Sequence, residues 1–389
     1  MQTTIKRRKL GRTGLLVSEL SLGAMNLRML KSFDEACAIV DYVLDQGINL
    51  IDTARAYKGE ISPGVMLESE QVVGQAIRQR TDLDEPIVII TKGHAYTIPE
   101  LGKDLATSLE TLGVSGKGDL QIGENAIKLV YFIHGISTER WDTIKSSGVL
   151  DRLQELKAQG VINHLGFSSH YPFAKEIKEA VDTGIFDVVE LPYNVFNRSL
   201  GEDGQIDLFQ YIHDKDIGLI NMKAFNGNGM GPIYQVIKEY LPIDYPAMLR
   251  FALANPHTTS IDAGARYPAE FEADMQVACG PMISGQELGL LKAEADKVAV
   301  HMKNVCRECM HCLEKFACPN QVDFPRILSL HTRYTFLARQ NKDTSELVRK
   351  YALLEKNGED CMECGECLPW CEYRLNIPEQ LKQAHQVLR

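Results

Sequence analysis

Asp52, Tyr57, Lys92 and His134 are the residues of this chain whose types and placement could move a proton. Asp52 closes the apolar run INLID, Lys92 closes VIITK and His134 closes LVYFIH, while Tyr57 follows Asp52 by five residues. A charge at the tip of an apolar strand is costly unless it is paired. Asp52 and Lys92 come from neighbouring runs, so they can pair, and the pair would set a cation beside Tyr57. A nearby cation favours phenolate and would lower the tyrosine pKa from about 10 toward the working range. Such a phenol is a general acid that can protonate a carbonyl oxygen while hydride arrives at the carbon. A neutral His134 would donate a hydrogen bond to the same oxygen. Each residue alone has a plainer reading, as a structural ion pair or a satisfied core histidine. The weight lies in all four falling at the ends of three consecutive runs.

A second set of chemical residues stands near the other end. Cys306, Cys309, Cys312 and Cys318 lie in CRECMHCLEKFACP, and Cys361, Cys364, Cys367 and Cys371 in CMECGECLPWC. Three cysteines at three-residue intervals with a fourth close by suit a cubane 4Fe-4S cluster, because a short loop can wrap three corners of the cube. In two-cluster ferredoxins the fourth cysteine of each run ligates the other cluster. On that pattern one cluster takes Cys306, Cys309, Cys312 and Cys371, and the other Cys361, Cys364, Cys367 and Cys318. The longer gap before Cys318, and Glu372 where a proline would follow Cys371, leave the fourth ligand of each open. Structural zinc, which uses two cysteine pairs a longer span apart, fits less well. Cys37 and Cys279 belong to neither run and read as ordinary buried thiols.

The elements that must position the first set are short apolar runs alternating with amphipathic helical patterns over residues 1–285. The strand runs are LSLGAMN (20–26), INLIDTA (48–54), IVIITKG (87–93), LVYFIHG (129–135), INHLGFSS (162–169), VVELPYN (188–194), GLINMKA (218–224) and TSIDAGA (259–265). VLDRLQELKAQG shows the helical counterpart, with Leu150, Leu153 and Leu156 on one face and Gly160 as a stop. Strand–helix repetition with right-handed crossovers gives a parallel sheet. Eight near-continuous apolar strands suit a closed (β/α)8 TIM barrel, an α/β fold. RRKLGRTGLLVSEL predicts a hairpin that plugs the barrel floor. KGEISPGVMLE (58–68) falls on the C-terminal side of the second strand and reads as a substrate-covering loop. GVSGKGDLQIGENAIK (113–128) reads as a turn-rich insertion before the fourth. Residues 286–389 lack strand-like alternation. Helical patterns such as LLKAEADKVAVHM and TSELVRKYALLEKNG surround the cysteines there, which predicts a small α-helical second domain.

Bulk properties exclude several classes. The net charge of −10 disfavours nucleic-acid and anionic-membrane partners. The chain has no run of about 18 apolar residues, so no spanning helix is expected. Its basic start is interrupted by Glu19 before any long apolar stretch, unlike a secretory signal. Ten cysteines without such a signal point to reduced thiols and a cytoplasmic protein.

KLGRTGLLVSELSLGAM, GINLIDTARAYKG, SEQVVGQAI, ITKG, FIHG, GVINHLGFSS, LPYN and DAGARYPAEFE, in that order, resemble the aldo-keto reductase superfamily across about residues 6–275. The resemblance implies an NAD(P)H-dependent reductase acting on a small-molecule carbonyl substrate, with Asp52, Tyr57, Lys92 and His134 as catalytic tetrad and Tyr57 as acid. It also implies NADP(H) held along strands seven and eight, with NAD(H) as the alternative. Ser168, Ser169 and Glu190 would meet the carboxamide end, Glu190 standing where the family often has Gln. Met222 and Lys223 follow strand seven, and Gly264, Ala265 and Arg266 follow strand eight. Arg266 would face the 2′-phosphate, with the acidic Glu270 and Asp274 nearby, and Asp274 stands where an Asn usually contacts adenine. The C-terminal cysteines resemble those of the clade that carries an α-helical ferredoxin-like domain with two 4Fe-4S clusters. Hydride chemistry needs no cluster, so two alternatives stand beside the carbonyl reductase. One is an oxidoreductase wired to a ferredoxin or flavoprotein electron partner. The other is an electron-transfer subunit with a vestigial barrel.

Overall fold

The computed structural model describes residues 4–170, 173–225, 243–302, 305–306, 312, 316–339, 341–371 and 374–389. Cys309 lies outside the described residues. Two compact units are present, Met1–Ala224 with Met248–Ile283, and Phe225–Ala247 with Ser284–Arg389.

The first unit opens with the hairpin β1 (Arg7–Lys9) and β2 (Leu16–Ser18), then β3 (Leu20–Gly23) and β4 (Leu50–Asp52). A second hairpin, β5 (Lys58–Ser62) and β6 (Val65–Glu68), precedes β7 (Ile87–Gly93). Next come β8 (Val114–Ser115), β9 (Leu120–Ile122), β10 (Asn125–Ile133), β11 (His164–Ser168), β12 (Val188–Pro192), β13 (Gly218–Met222) and β14 (Ser260–Ala263). Eight of these strands, in the order β11-β12-β13-β14-β3-β4-β7-β10, pair in parallel, and the β10–β11 pairing closes the ring. All eight strand runs expected from the sequence are its staves. Helices between staves include Phe33–Asp45, Ser69–Gln79, Ile98–Leu112, Val149–Ala158 and Pro268–Ala278. Ile98–Leu112 shows why they start and stop. Thr97 and Glu100 form a reciprocal capping box, and Gly113, at φ 74°, turns the chain out.

The two insertions are more ordered than a loop reading implies. Residues 58–68 form the β5–β6 hairpin with a bulge between Glu60 and Ser62 and a turn at Gly64, φ 77°. Residues 113–128 contain β8 and β9, which pair antiparallel and extend β10 back to Asn125. Glycines alone read as turns, and the short apolar pairs between them escaped notice.

Leu10 and Val17 of the first hairpin pack with Leu50, Val88, Ile90, Val130, Phe132, Val188 and Ile220 in one buried cluster. These strand residues point inward, so the two-residue period of a strand aims Asp52, Lys92, His134, Glu190 and Met222 inward one layer higher. The floor hairpin is fastened by charge. Arg8 reaches Glu19 at 3.0 Å and the carbonyls of Thr258 and Leu253, and Arg12 reaches Asp187 at 3.1 Å and the carbonyls of Gly184 and Phe186.

The second unit contains helices Gly285–Met302, Phe324–Arg339, Ser345–Ala352 and Ile377–Leu388. The expected helix through TSELVRKYALLEKNG stops at Ala352, and a 3-10 turn, Gly358–Asp360, leads into Cys361. Val322, Phe324, Ile327, Leu347, Tyr351, Leu381 and Leu388 are among its core residues. Cys367 is buried in that core, and Cys306, Cys312, Cys318, Cys361 and Cys371 pack against it.

Candidate active site and cysteine cavity

Asp52 ends β4 and Lys92 lies near the end of β7, strands that pair directly. The Lys92 Nζ donates to both Asp52 oxygens and stands 3.4 Å from the Thr53 carbonyl oxygen. Both side chains are fully buried, at 1% exposure for Lys92 and 2% for Asp52. The same ammonium lies 5.4 Å from the Tyr57 ring centroid. The turn carrying Tyr57 is anchored at both ends, because Tyr57 N–H donates to the Ala54 carbonyl and Ser69 N–H to the Tyr57 carbonyl. Arg55 adds a clamp to Glu68 at 2.9 Å and to the buried Glu70 at 2.8 Å, and Thr91 donates to the other Glu70 oxygen at 2.6 Å. His134 follows β10 and meets the Tyr57 ring edge-on, with centroids 5.9 Å apart. On its other side His94 stacks at 4.6 Å, nearly parallel.

Two further carboxylates share the ammonium's surroundings. Glu190 of β12, 3% exposed, has Oε2 3.2 Å from Lys92 Nζ, a charge contact without an aligned hydrogen bond. Asp262 of β14 accepts from Ser21 Oγ at 2.5 Å. One oxygen of each of Asp52, Glu190 and Asp262 lies within 4.8 Å of the others. The sequence reading placed Glu190 at the carboxamide end of a coenzyme and passed over Asp262. The same signal that marked Asp52, an acid inside an apolar strand, was present in SIDA.

The electrostatics follow from one cation among three acids in a dry site. Burial raises the Asp52 pKa to about 8, with Glu190 adding to the rise and Lys92 opposing it. Asp262 is pushed well above the carboxylate range by loss of solvent and by the charges of Asp52 and Glu190. Burial works against charge on Lys92, but Asp52 and Glu190 outweigh it and hold its pKa well above the ordinary value. Burial, with Lys92, His170, His94 and Arg140, keeps the His134 pKa well below its usual value, so the ring is neutral.

Tyr57 departs from expectation. Its pKa is raised, because burial dominates and Asp52, Glu190 and Asp262 offset much of the pull of Lys92. Tyr57 as a residue is only partly buried, which moderates the effect. A lysine read without its carboxylates gives the wrong sign. At neutral pH the phenol is held protonated.

The remaining expected coenzyme residues lie on neighbouring strand ends. Ser168 Oγ accepts from Gly135 N–H at 3.0 Å, and Ser169 Oγ donates to the Ile136 carbonyl at 3.3 Å. Met222 is buried, and Lys223, at φ 62°, reaches the His170 carbonyl at 3.5 Å. Gly264 and Ala265 follow β14. A Cβ at Gly264 would come within 2.7 Å of the Asn26 amide. Arg266 is bound by Glu270 through its guanidinium at 2.8 Å and its backbone N–H at 2.7 Å. Asp274 nearby is pushed up to about 7 by burial and by Glu270.

Residues 19–231 match the model of the aldo/keto reductase family. The chain belongs to the aldo/keto reductase family. Among curated relatives, the uncharacterized oxidoreductase YqkF of Bacillus subtilis is 30% identical over 196 residues, 50% of this chain and 58% of that protein. The L-galactose dehydrogenase of Arabidopsis thaliana is 26% identical over 229 residues, 56% of this chain and 65% of that protein. The chain thus matches less than two thirds of the length of each. Aldo-keto reductase AKR11C1 from Bacillus halodurans, in its holo form, superposes with a TM-score of 0.58 at 24% identity, over 74% of this chain and 96% of that one. That likeness shows the barrel fold. No helix among the described residues is long and apolar enough to cross a membrane.

The second unit has its own candidate site. Cys318, Cys361, Cys364 and Cys367 line one small pocket together with Phe316, Val322, Phe324 and Leu381. The loop wraps it because Glu363 (φ 53°) and Gly365 (φ 75°) are left-handed, at a cost of about 1–2 kcal/mol for the glutamate. Among the described residues no three cysteine sulfurs lie within 4.8 Å of one another. A tetrahedral zinc site at about 2.3 Å per Zn–S bond would draw them to about 4 Å. Of the other run, Cys306, Cys312 and Cys371 pack at the rim of the same core. Cys37 is a buried thiol, pushed up to about 11 by burial, whereas Cys279 is only half-buried, because it caps the exposed end of a helix.

Proposed function

We propose that this chain is an NAD(P)H-dependent oxidoreductase that reduces an aldehyde or ketone, with Tyr57 as proton donor. The observation that carries the reading is the Asp52–Lys92 pair set beside the Tyr57 ring, with a neutral His134 against it, at the C-terminal ends of three adjacent parallel strands. Barrel enzymes build their sites at that end. When bound, the reduced nicotinamide supplies hydride to the carbonyl carbon. The chain's residues do the rest. Tyr57, kept protonated, hands its proton to the carbonyl oxygen. Lys92 stabilises the phenolate left behind, and Asp52 holds Lys92 in place. His134 orients the oxygen by hydrogen bonding. Ser168, Ser169, Glu190, Met222 and Lys223 would line the nicotinamide end, and Gly264, Ala265, Arg266, Glu270 and Asp274 the adenosine end. NADP(H) is the preferred coenzyme on the guanidinium of Arg266, although its pairing with Glu270 leaves NAD(H) in contention.

The second unit, residues 286–389 in this reading, would be a ferredoxin-like domain holding two 4Fe-4S clusters. Cys318, Cys361, Cys364 and Cys367 would hold one, as their shared cavity supports, and Cys306, Cys309, Cys312 and Cys371 the other. A specific observation favours a second reading, exchange of single electrons with a ferredoxin or flavoprotein. Cys364 is exposed and its neighbour Met362 is 60% exposed, so that cluster would lie close to the surface. Reduced thiols of this kind would suit a cytoplasmic protein.

The test is anaerobic. Purified protein should oxidise NADPH with simple aldehydes alone and carry about eight iron atoms per chain. Tyr57→Phe should abolish reduction while leaving NADPH binding intact. Full activity in that variant removes Tyr57 from its role. Activity only with an added one-electron carrier selects the second reading.

A further inference from the structure

We propose that Asp52 and Asp262, facing the Glu190 carboxylate, store one proton that recharges Tyr57 through Lys92, and that binding of oxidised coenzyme expels this proton from the site. The inference rests on the NAD(P)H reading above and adds a role that Glu190 has because it is a carboxylate.

The argument begins with charge balance. Three carboxyl groups and one ammonium meet within a few ångströms, mostly out of water. Fully ionised, the set would carry two uncompensated negative charges in a dry site, which costs several kcal/mol per charge. One bound proton halves the excess. The raised values of Asp52 and Asp262 agree with that. The groups facing the set from every packed strand are Lys92 and Tyr57, with neutral His134 beyond them and Ser21 donating to Asp262. Glu190 Oε2, Asp262 Oδ2 and His134 Nδ1 are buried atoms without a hydrogen-bond partner. The site is thus built for a further donor or cation.

Oxidation of a bound coenzyme would add a positive charge to its nicotinamide. In the same step the carbonyl π bond breaks, hydride forms the C–H bond, and the Tyr57 proton forms the O–H bond. Tyr57 is left as phenolate. Lys92 can return a proton to it and take one from the carboxyl set, whose new negative charge would offset that of the oxidised ring. Atoms and charges balance, with no oxidant beyond the coenzyme. Glutamine at position 190 would supply no charge for this exchange.

The experiment is calorimetry of NADP+ and NADPH binding to the whole chain at about pH 6.5, in two buffers of different ionisation enthalpy. NADP+ should release about one proton and NADPH close to none. The ratio of the two affinities should favour NADP+ about tenfold more per pH unit up to about pH 8. The 2′-phosphate is common to both and cancels. Glu190→Gln should cut the proton release to well under one and flatten the ratio. Equal proton counts for the two coenzymes in the wild type overturn the proposal, and that measurement decides even where the variant fails to fold. Absence of binding by either coenzyme sinks the function itself, a distinguishable outcome.

Discussion

Lys92→Met tests the charge logic of the barrel directly. Methionine keeps an unbranched stem and removes the ammonium that bonds Asp52 and touches Glu190. Breaking a buried pair from one side costs about 3–5 kcal/mol. The carboxyls can escape part of that cost by taking up a proton, which makes the deficit depend on pH. A carboxyl whose folded pKa lies above its unfolded value of about 4 binds its proton more tightly when folded. Its contribution is therefore most favourable below pH 4 and is lost as pH rises toward the folded value. The wild type already holds one such proton, with Asp52 at about 8, and the variant must hold one more. One additional proton costs about 1.4 kcal/mol per pH unit. Over the three units from pH 4 to 7 that is about 4 kcal/mol, inside the range for a broken buried pair. The deficit should be about 1–2 kcal/mol at pH 5 and about 4 at pH 7. Urea melts can read it from Trp141, buried in the barrel, in a Trp370→Phe background that silences the other tryptophan. A deficit equal at the two pH values would refute the reasoning.

Three further outcomes follow from other contacts. Burial alone would raise the Asp187 pKa, but His164, Lys157 and the Leu165 N–H hold it well below the carboxylate range. Asp187→Asn should cost about 2–3 kcal/mol at neutral pH. That penalty should shrink below about pH 4, because a depressed carboxyl loses its contribution as pH falls toward its folded value; urea melts at pH 7 and 3.5 compare the two. Gly166→Ala puts a Cβ into the Phe132 ring and 2.6 Å from the Val188 carbonyl oxygen, so it should lower stability by about 1–3 kcal/mol in a thermal melt. Glu270→Ala frees an exposed Arg266 and should shift the NADPH-to-NADH affinity ratio about two- to fivefold toward NADPH in a fluorescence titration, the scale of an exposed ion pair.

The staves were legible because each is a run of inward and outward apolar residues too dense for a surface helix, and IVIITKG matched its strand end to end. Lys92, Asp52 and His134 were legible because a polar tip on an apolar strand has a cost that invites explanation. Asp262 carried the same mark and was missed, since no neighbour in the chain advertised a partner. The sign of the Tyr57 shift was not legible at all. It depends on how many carboxylates share one ammonium across four strands, a sum over distances that residue order does not contain. The two-cluster ferredoxin pattern paired Cys318 with Cys361, Cys364 and Cys367, and these four line one pocket.

The charged fastening of the first hairpin makes the barrel a cup rather than a tube. With Leu10 and Val17 stoppering the bottom layer, traffic to the tyrosine must cross the rim formed by the strand ends and the β5–β6 hairpin. A visitor seated deepest arrives first and departs last.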